Sequence, residues 1–140
     1  CKWGCIGLGD CVPVCSFSGV RVDPVRRIAE IDSSRCTGCG SCVRACPRGV
    51  IELRTKGAGG RMVSVLCLNR DKGAVTRKAC SVGCIGCRKC EKACPFGAIS
   101  VEDNVAYIDH TKCRFCRKCV AECPVGAISA VNFPVAAVKD

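Results

Sequence analysis

Three times in this chain one spacing recurs, C-x2-C-x2-C-x3-C-P. It is met at Cys36, Cys39, Cys42 and Cys46 before Pro47, and at Cys84, Cys87, Cys90 and Cys94 before Pro95. The third copy is Cys113, Cys116, Cys119 and Cys123 before Pro124. Nothing else in the sequence restricts the fold so strongly. Three cysteines separated by pairs of residues make the backbone curl on itself. The proline after the fourth fixes φ and lacks an N–H, so it ends the turn and directs that cysteine away. A disulfide framework suits this spacing poorly, because each triplet packs its thiols too closely for separate, well-formed loops. Zinc sites use C-x2-C pairs, but normally two of them about a dozen or more residues apart.

The spacing is the bacterial ferredoxin signature, in which three cysteines hold one four-iron, four-sulfur cluster and the fourth ligates its neighbour. Such a loop also turns peptide N–H groups toward the sulfurs, which offsets the negative charge of the cluster. Crossed ligation would fasten the two motifs of a module together. The composition agrees. There are 18 cysteines in 140 residues but only four Phe, one Trp and one Tyr, a thin supply of large apolar side chains for a core. The clusters are therefore expected to double as the interior, so that iron removal unfolds the chain.

The opening stretch CKWGCIGLGDCVPVC (1–15) departs from the pattern. It aligns with CSVGCIGCRKCEKAC (80–94) at an offset of 79, which places Leu8 where Cys87 stands. The middle ligand is missing, and Cys1, which aligns with Cys80, is the nearest substitute. The partition read from the sequence is therefore as follows. Cys1, Cys5, Cys11 and Cys46 hold one cluster, and Cys36, Cys39, Cys42 and Cys15 hold its partner. Cys84, Cys87, Cys90 and Cys123 hold a third, and Cys113, Cys116, Cys119 and Cys94 a fourth. Cys67 and Cys80 are left over, either as small buried thiols or as an extra site or replacement ligands. Residue 16 is Ser, a second departure of the first motif.

The chain repeats itself at two levels. IDSSRCTGCGSCVRACPRGVIE (31–52) matches IDHTKCRFCRKCVAECPVGAIS (108–129) at an offset of 77. This predicts a small, loop-rich α+β fold of two tandem dicluster ferredoxin-like modules, 1–52 and 80–140. Segment 53–79 is expected to be a hairpin and connector, with IELR and RMVSV as strands around Gly57, Gly59 and Gly60. A second hairpin is expected over 98–109, turning at Asp103-Asn104. Runs such as VRA, EKA and VAE, between the third and fourth cysteines, suit single helical turns.

The formal charge of +10 counts every cysteine as neutral. Metal-bound thiolates reverse much of it, since each oxidised four-iron cluster with its thiolates carries roughly −2. A nucleic-acid partner is not implied. No run of about 18 apolar residues is present, nor a signal peptide. A start at Cys1 without methionine suggests a piece of a longer protein, with any membrane anchor upstream.

CKWGCIGLGDC, CTGCGSC and DKGAVTRKACSVGCIGC (71–87) together resemble the RnfB family, one component of the Rnf complex, over essentially the whole chain. That resemblance implies a polyferredoxin segment at the cytoplasmic face of a prokaryotic membrane. It implies electrons taken from reduced ferredoxin, other subunits of an ion-translocating ferredoxin:NAD oxidoreductase as partners, and membrane attachment through a segment absent from this chain. An electron-transfer subunit of a hydrogenase or dehydrogenase, or a zinc-binding module, are the alternatives. No Gly-rich phosphate loop marks a substrate site, because Gly57–Gly60 lacks the spacing and the helix. His110 reads as a solvated loop residue, and Trp3 and Phe115 as shields for clusters. Arg88, Lys89, Lys92, Arg114, Arg117 and Lys118 lie between ligands of the second module. They form either a docking face for an acidic ferredoxin or a charge-compensating surface.

Overall fold

The computed structural model describes residues 1–133. They form two compact units: Trp3–Leu53, and Arg54 onward together with Cys1 and Lys2.

The first unit is built on a hairpin of β1 (Val20–Val22) and β2 (Ala29–Ile31), paired Val20 to Ile31. Its turn is set by Asp23, whose carboxylate accepts the backbone N–H groups of Val25 and Arg26 at 2.9 and 2.7 Å. Arg27 then takes a left-handed φ of 53°. A short helix, α1 (Ser41–Ala45), follows the second cysteine triplet. Among the described residues, Cys11 and Val20 are this unit's only buried apolar side chains. Hydrocarbon alone does not hold it together.

The second unit contains β3 (Met62–Val65), α2 (Gly73–Ala79), α3 (Lys89–Ala93), β4 (Ile99–Glu102), β5 (Val105–Ile108), α4 (Lys118–Glu122) and β6 (Ile128–Val131). β4 and β5 form the expected hairpin, with Ile99 opposite Ile108. Asp103 and Asn104 turn it with φ of 47° and 63°, the twist that two-residue hairpin turns require. Strict alternation puts Ile99 and Val101 inward and Ser100 and Glu102 outward. With Val63, Val65, Ala106, Ile108 and Ile128 they make an apolar core joined by Cys84, Cys90 and Cys119.

The hairpin expected from IELR and RMVSV does not form. Residues 51–57 carry no strand, and β3 pairs antiparallel with β6, from Met62 opposite Val131 to Val65 opposite Ile128. The glycine turn is present, as a 3₁₀ turn at Ala58–Gly60 held by Asn132 Nδ2 donating to the Gly60 carbonyl at 2.8 Å. It only reverses direction. Burial decides the pairing, because β3 against β6 places Val63 and Val65 in the core, whereas Leu53 is 55% exposed and Glu52 lies in solvent. The connector also holds α2, whose Thr76 is fully buried and donates to the Asp71 carbonyl at 3.2 Å.

Candidate iron–sulfur centres

Each cysteine triplet folds as the same loop, and its fingerprint lies in the backbone. The second and fourth residues after the first cysteine are left-handed in all four: Gly7 and Gly9, Gly38 and Gly40, Gly86 and Arg88, Phe115 and Arg117. A non-glycine residue there costs about 1–2 kcal/mol, yet three of the eight positions carry Arg or Phe. The loop shape therefore overrides local preference. In three loops the fourth residue also starts a five-residue helix, α1, α3 or α4. The left-handed turn points N–H groups at sulfur: Gly7 donates to Cys5 Sγ and Phe115 to Cys113 Sγ, each at 3.4 Å. Cys46, Cys94 and Cys123 end these helices with extended ψ of 111°, 109° and 111°, the conformation a following proline imposes.

In the second unit this places four thiols around each of two recesses. One, enclosing about 340 Å³ partly open to solvent, is lined by Cys84, Cys87, Cys90 and Cys123. The other, of about 310 Å³, is lined by Cys94, Cys113, Cys116 and Cys119. The fourth cysteine of each motif thus joins the triplet of the other, as crossed ligation requires. Among the described residues no three His, Cys, Asp or Glu side chains converge closely enough for a single ion. The thiols are spaced for a larger group. In donor type, number and spacing, these eight residues fit two four-iron clusters.

Electrostatics matches that geometry. Burial pushes the Cys90 and Cys119 thiols up to about 11, reinforced for Cys90 by Cys84, Cys87 and Cys123, and for Cys119 by Cys113, Cys116 and Cys90. Without metal these sulfurs keep their protons at neutral pH, so metal loading must release them. Cys46 lies at the opposite extreme. Burial opposes its ionisation, but the N–H groups of Val50, Arg48, Gly49 and Ile51 together bring it below the ordinary thiol range. Cys39 is lowered too, chiefly by the Ser41 backbone N–H.

In the first unit a recess of about 350 Å³ is lined by Cys5, Cys11 and Cys46, with Leu8 on its wall. Cys11 is raised by burial, against its own N–H, and further by Cys5, Cys46 and Cys42. Cys1, read from the sequence as the substitute ligand, is exposed and groups with the second unit, where Lys2 pairs with Asp71 at 3.3 Å. Cys15 Sγ accepts the Gly19 N–H at 3.3 Å, and a Cβ on Gly19 would lie 3.4 Å from the Cys36 backbone nitrogen. Cys80 and Cys67 lie outside the repeated loops. Cys67 Sγ accepts the N–H groups of Cys84 and Asn69 at 3.2 and 3.4 Å, a sulfur environment that the spacing did not reveal.

The chain matches the family model described as a 4Fe-4S dicluster domain over residues 4–71 and 83–127. It belongs to this family. The two matched segments include all four loops of the dicluster domain and leave out Cys1 and Cys80. The B component of the Na(+)-translocating ferredoxin:NAD(+) oxidoreductase complex of Acetobacterium woodii is 43% identical over 114 residues, covering 81% of this chain and 33% of that protein. Its counterpart in the proton-translocating ferredoxin:NAD(+) oxidoreductase complex of Clostridium ljungdahlii is 46% identical over 113 residues, covering 81% and 38%. The chain thus spans about a third of the length of these curated relatives. A chain of a formate dehydrogenase–heterodisulfide reductase–formylmethanofuran dehydrogenase complex from Methanospirillum hungatei matches at 22% identity. It covers 90% of this chain and 51% of that one at a TM-score of 0.32, too little overlap to bear on fold or function.

The remaining predicted residues take these places. Arg88, Lys89, Lys92, Arg114, Arg117 and Lys118 are all exposed, on α3, α4 and their loops, and the two helices pack together. Arg88 pairs with Glu91 at 3.1 Å, and the Arg117 guanidinium lies 4.7 Å over the Phe133 ring. His110 is half-buried, not solvated, with its ring edge-on to Tyr107 at 6.4 Å. The Phe115 ring packs so closely on Gly57 that a Cβ there would lie 2.5 Å away. Phe115 thus closes the core of the second unit beside Cys113.

Proposed function

We propose that this chain is an electron relay with four iron–sulfur centres, serving as the cluster-bearing part of the RnfB component in an Rnf-type ferredoxin:NAD oxidoreductase. The observation that carries the reading is the pair of four-thiol recesses in the second unit, each drawing cysteines from both motifs. The centres there would be held by Cys84, Cys87, Cys90 and Cys123, and by Cys113, Cys116, Cys119 and Cys94. In the first unit Cys36, Cys39, Cys42 and Cys15 would hold another, and Cys5, Cys11 and Cys46 the last.

Clusters bound at these sites supply one-electron carriers. The protein's part is to exclude water, to supply N–H groups to sulfur, and to present a docking surface. Burial of Cys11, Cys90 and Cys119 keeps one corner of each of their triplets away from solvent. The middle cysteines Cys39, Cys87 and Cys116 are exposed, which places another corner at the surface where an electron can enter or leave. Around two of these, Lys89, Lys92, Arg114 and Lys118 extend into solvent. Such a face would steer an acidic ferredoxin toward Cys87 and Cys116.

Among the described residues no helix is long and apolar enough to cross a membrane. Attachment at the cytoplasmic face would come through a segment absent from this chain. The test combines an anaerobic iron count and paramagnetic resonance with stopped-flow reduction by reduced ferredoxin. Reduction should slow as salt rises, and slow again in a Lys89→Glu/Lys118→Glu variant with unaltered iron content. Reduction indifferent to salt and to both charges removes the docking face. Colourless, zinc-loaded protein removes the relay altogether.

A further inference from the structure

The three standard triplets are entered in two different ways. Cys36 and Cys113 each donate their backbone N–H to the carbonyl of the aspartate four residues earlier, Asp32 and Asp109, at 3.0 Å. The two aspartates shape these lead-ins alike, since Asp32 Oδ1 accepts the Ser34 N–H and Asp109 Oδ1 that of Thr111, each at 2.9 Å. Cys84 has Cys80 at that place, and its N–H turns instead to Cys67 Sγ at 3.2 Å. A side chain 17 residues back thus takes the part that a local carbonyl plays in the other two.

The acceptor is held in place. Cys67 Sγ also accepts the N–H of Asn69 at 3.4 Å, the same two-residue contact that Gly7 makes to Cys5 and Phe115 to Cys113. Asn69 is 2% exposed, and its Oδ1 accepts the Asp71 N–H at 2.8 Å, which closes the turn after Cys67. Cys67 packs against the apolar core, and all these contacts lie within the second unit. Yet it lines neither four-thiol recess of that unit. Its sulfur has the surroundings of a ligand without the place of one.

We infer that Cys67 is a positioning residue that lowers the reduction potential of the centre held by Cys84, Cys87, Cys90 and Cys123. The inference rests on the cluster-bearing reading above and concerns one of its four centres. Charge and hydrogen bonds around the ligand sulfurs set the potential of such a centre, and reduction adds a negative charge. An electron-rich sulfur against the Cys84 peptide opposes that charge. It also neutralises the positive end of the Cys84 N–H dipole, which would otherwise favour the added electron. Removing the sulfur ends both effects, and both changes ease reduction. In the Cys36 and Cys113 triplets the acceptor is main chain, so the lead-in is fixed there, whereas at Cys84 it depends on one side chain.

The test is a potentiometric titration of the whole chain, loaded with iron and kept free of oxygen, followed by paramagnetic resonance of the reduced centres. Cys67→Ala and Cys67→Val both remove the acceptor, and Val keeps most of the volume. In each, one reductive step should move to higher potential with an altered resonance, while iron content and the other steps stay as in the parent. The moving step should be the one that Cys87→Ser displaces and Cys116→Ser does not. Cys67→Ser, whose hydroxyl accepts the same N–H, should return the step close to its parent position. Potentials unchanged or lowered in Ala and Val overturn the inference and leave the relay intact. A Ser variant that behaves as Ala also overturns it, because the effect is then one of packing. Loss of that centre's iron from both Ala and Val does so too, by making Cys67 a ligand. Protein that binds no iron removes this inference and the relay reading together.

Discussion

The two units run the same cysteine pattern with very different support. In the first, Cys11 and Val20 are the only buried apolar side chains among the described residues, and the β1–β2 hairpin buries no other residue. In the second, two antiparallel pairs meet around Val63, Ile99, Val101, Ile108 and Ile128. The difference teaches that a cluster motif is not a fold by itself. Where strands supply hydrocarbon, metal adds to a core; where they do not, metal has to be the core.

The largest effect expected from this contrast is on iron removal. Anaerobic chelation should abolish amide-exchange protection across residues 3–53, whereas 62–65, 99–108 and 128–131 keep a measurable part of theirs. Equal loss in both units would show that the apolar core has no independent strength. Next in size, Ile108→Ala opens a cavity at a side chain only 1% exposed. It should cost the second unit about 2–5 kcal/mol, read as a lower guanidinium midpoint for bleaching of its visible absorbance. The same truncation at Val20 should cost less, and a Val20 effect as large would erase the distinction.

A finer comparison uses the matched glycines. Gly7→Ala meets the Arg27 carbonyl at 2.4 Å, and Gly86→Ala meets that of Asn104 at 2.9 Å, both at left-handed φ. Each should cost at least about 1–2 kcal/mol, with Gly7→Ala the worse and loss of its cluster the faster by visible absorbance. Of similar size is Cys67→Ala, which removes the acceptor of the buried Cys84 N–H. It should cost about 1–3 kcal/mol and leave the iron content as it was, also when combined with Cys80→Ala. Iron lost from that double variant would make these two thiols ligands instead.

Much of the site could be read from the spacing of cysteines, because a triplet with a following proline leaves the backbone few choices. The helical turns at α1, α3 and α4 and the Asp103-Asn104 hairpin follow from equally local rules. The partner of β3 was not legible. IELR and Ile128–Val131 are both short apolar runs, and only the burial of Val63 and Val65 in three dimensions selects between them. The spacing does not place Cys1 either. An alignment with Cys80 makes it the nearest thiol along the chain, but the loop that shapes the recess begins at Cys5, as Gly7 and Gly9 at left-handed φ show. The signal was in the sequence as glycines at the second and fourth places after Cys5. It becomes decisive only when the same conformation recurs at Phe115 and Arg117.

The pairing of Met62–Val65 with Ile128–Val131 has a consequence for how the chain is made. β1 and β2 can zip together as soon as their own short turn has left the ribosome, whereas β3 must wait until Ile128–Val131 has been synthesised. During that interval the cysteines of the last two motifs, from Cys84 through Cys123, emerge without the strand that closes their compartment. Closure of the second unit therefore waits on a contact distant in sequence, by topology.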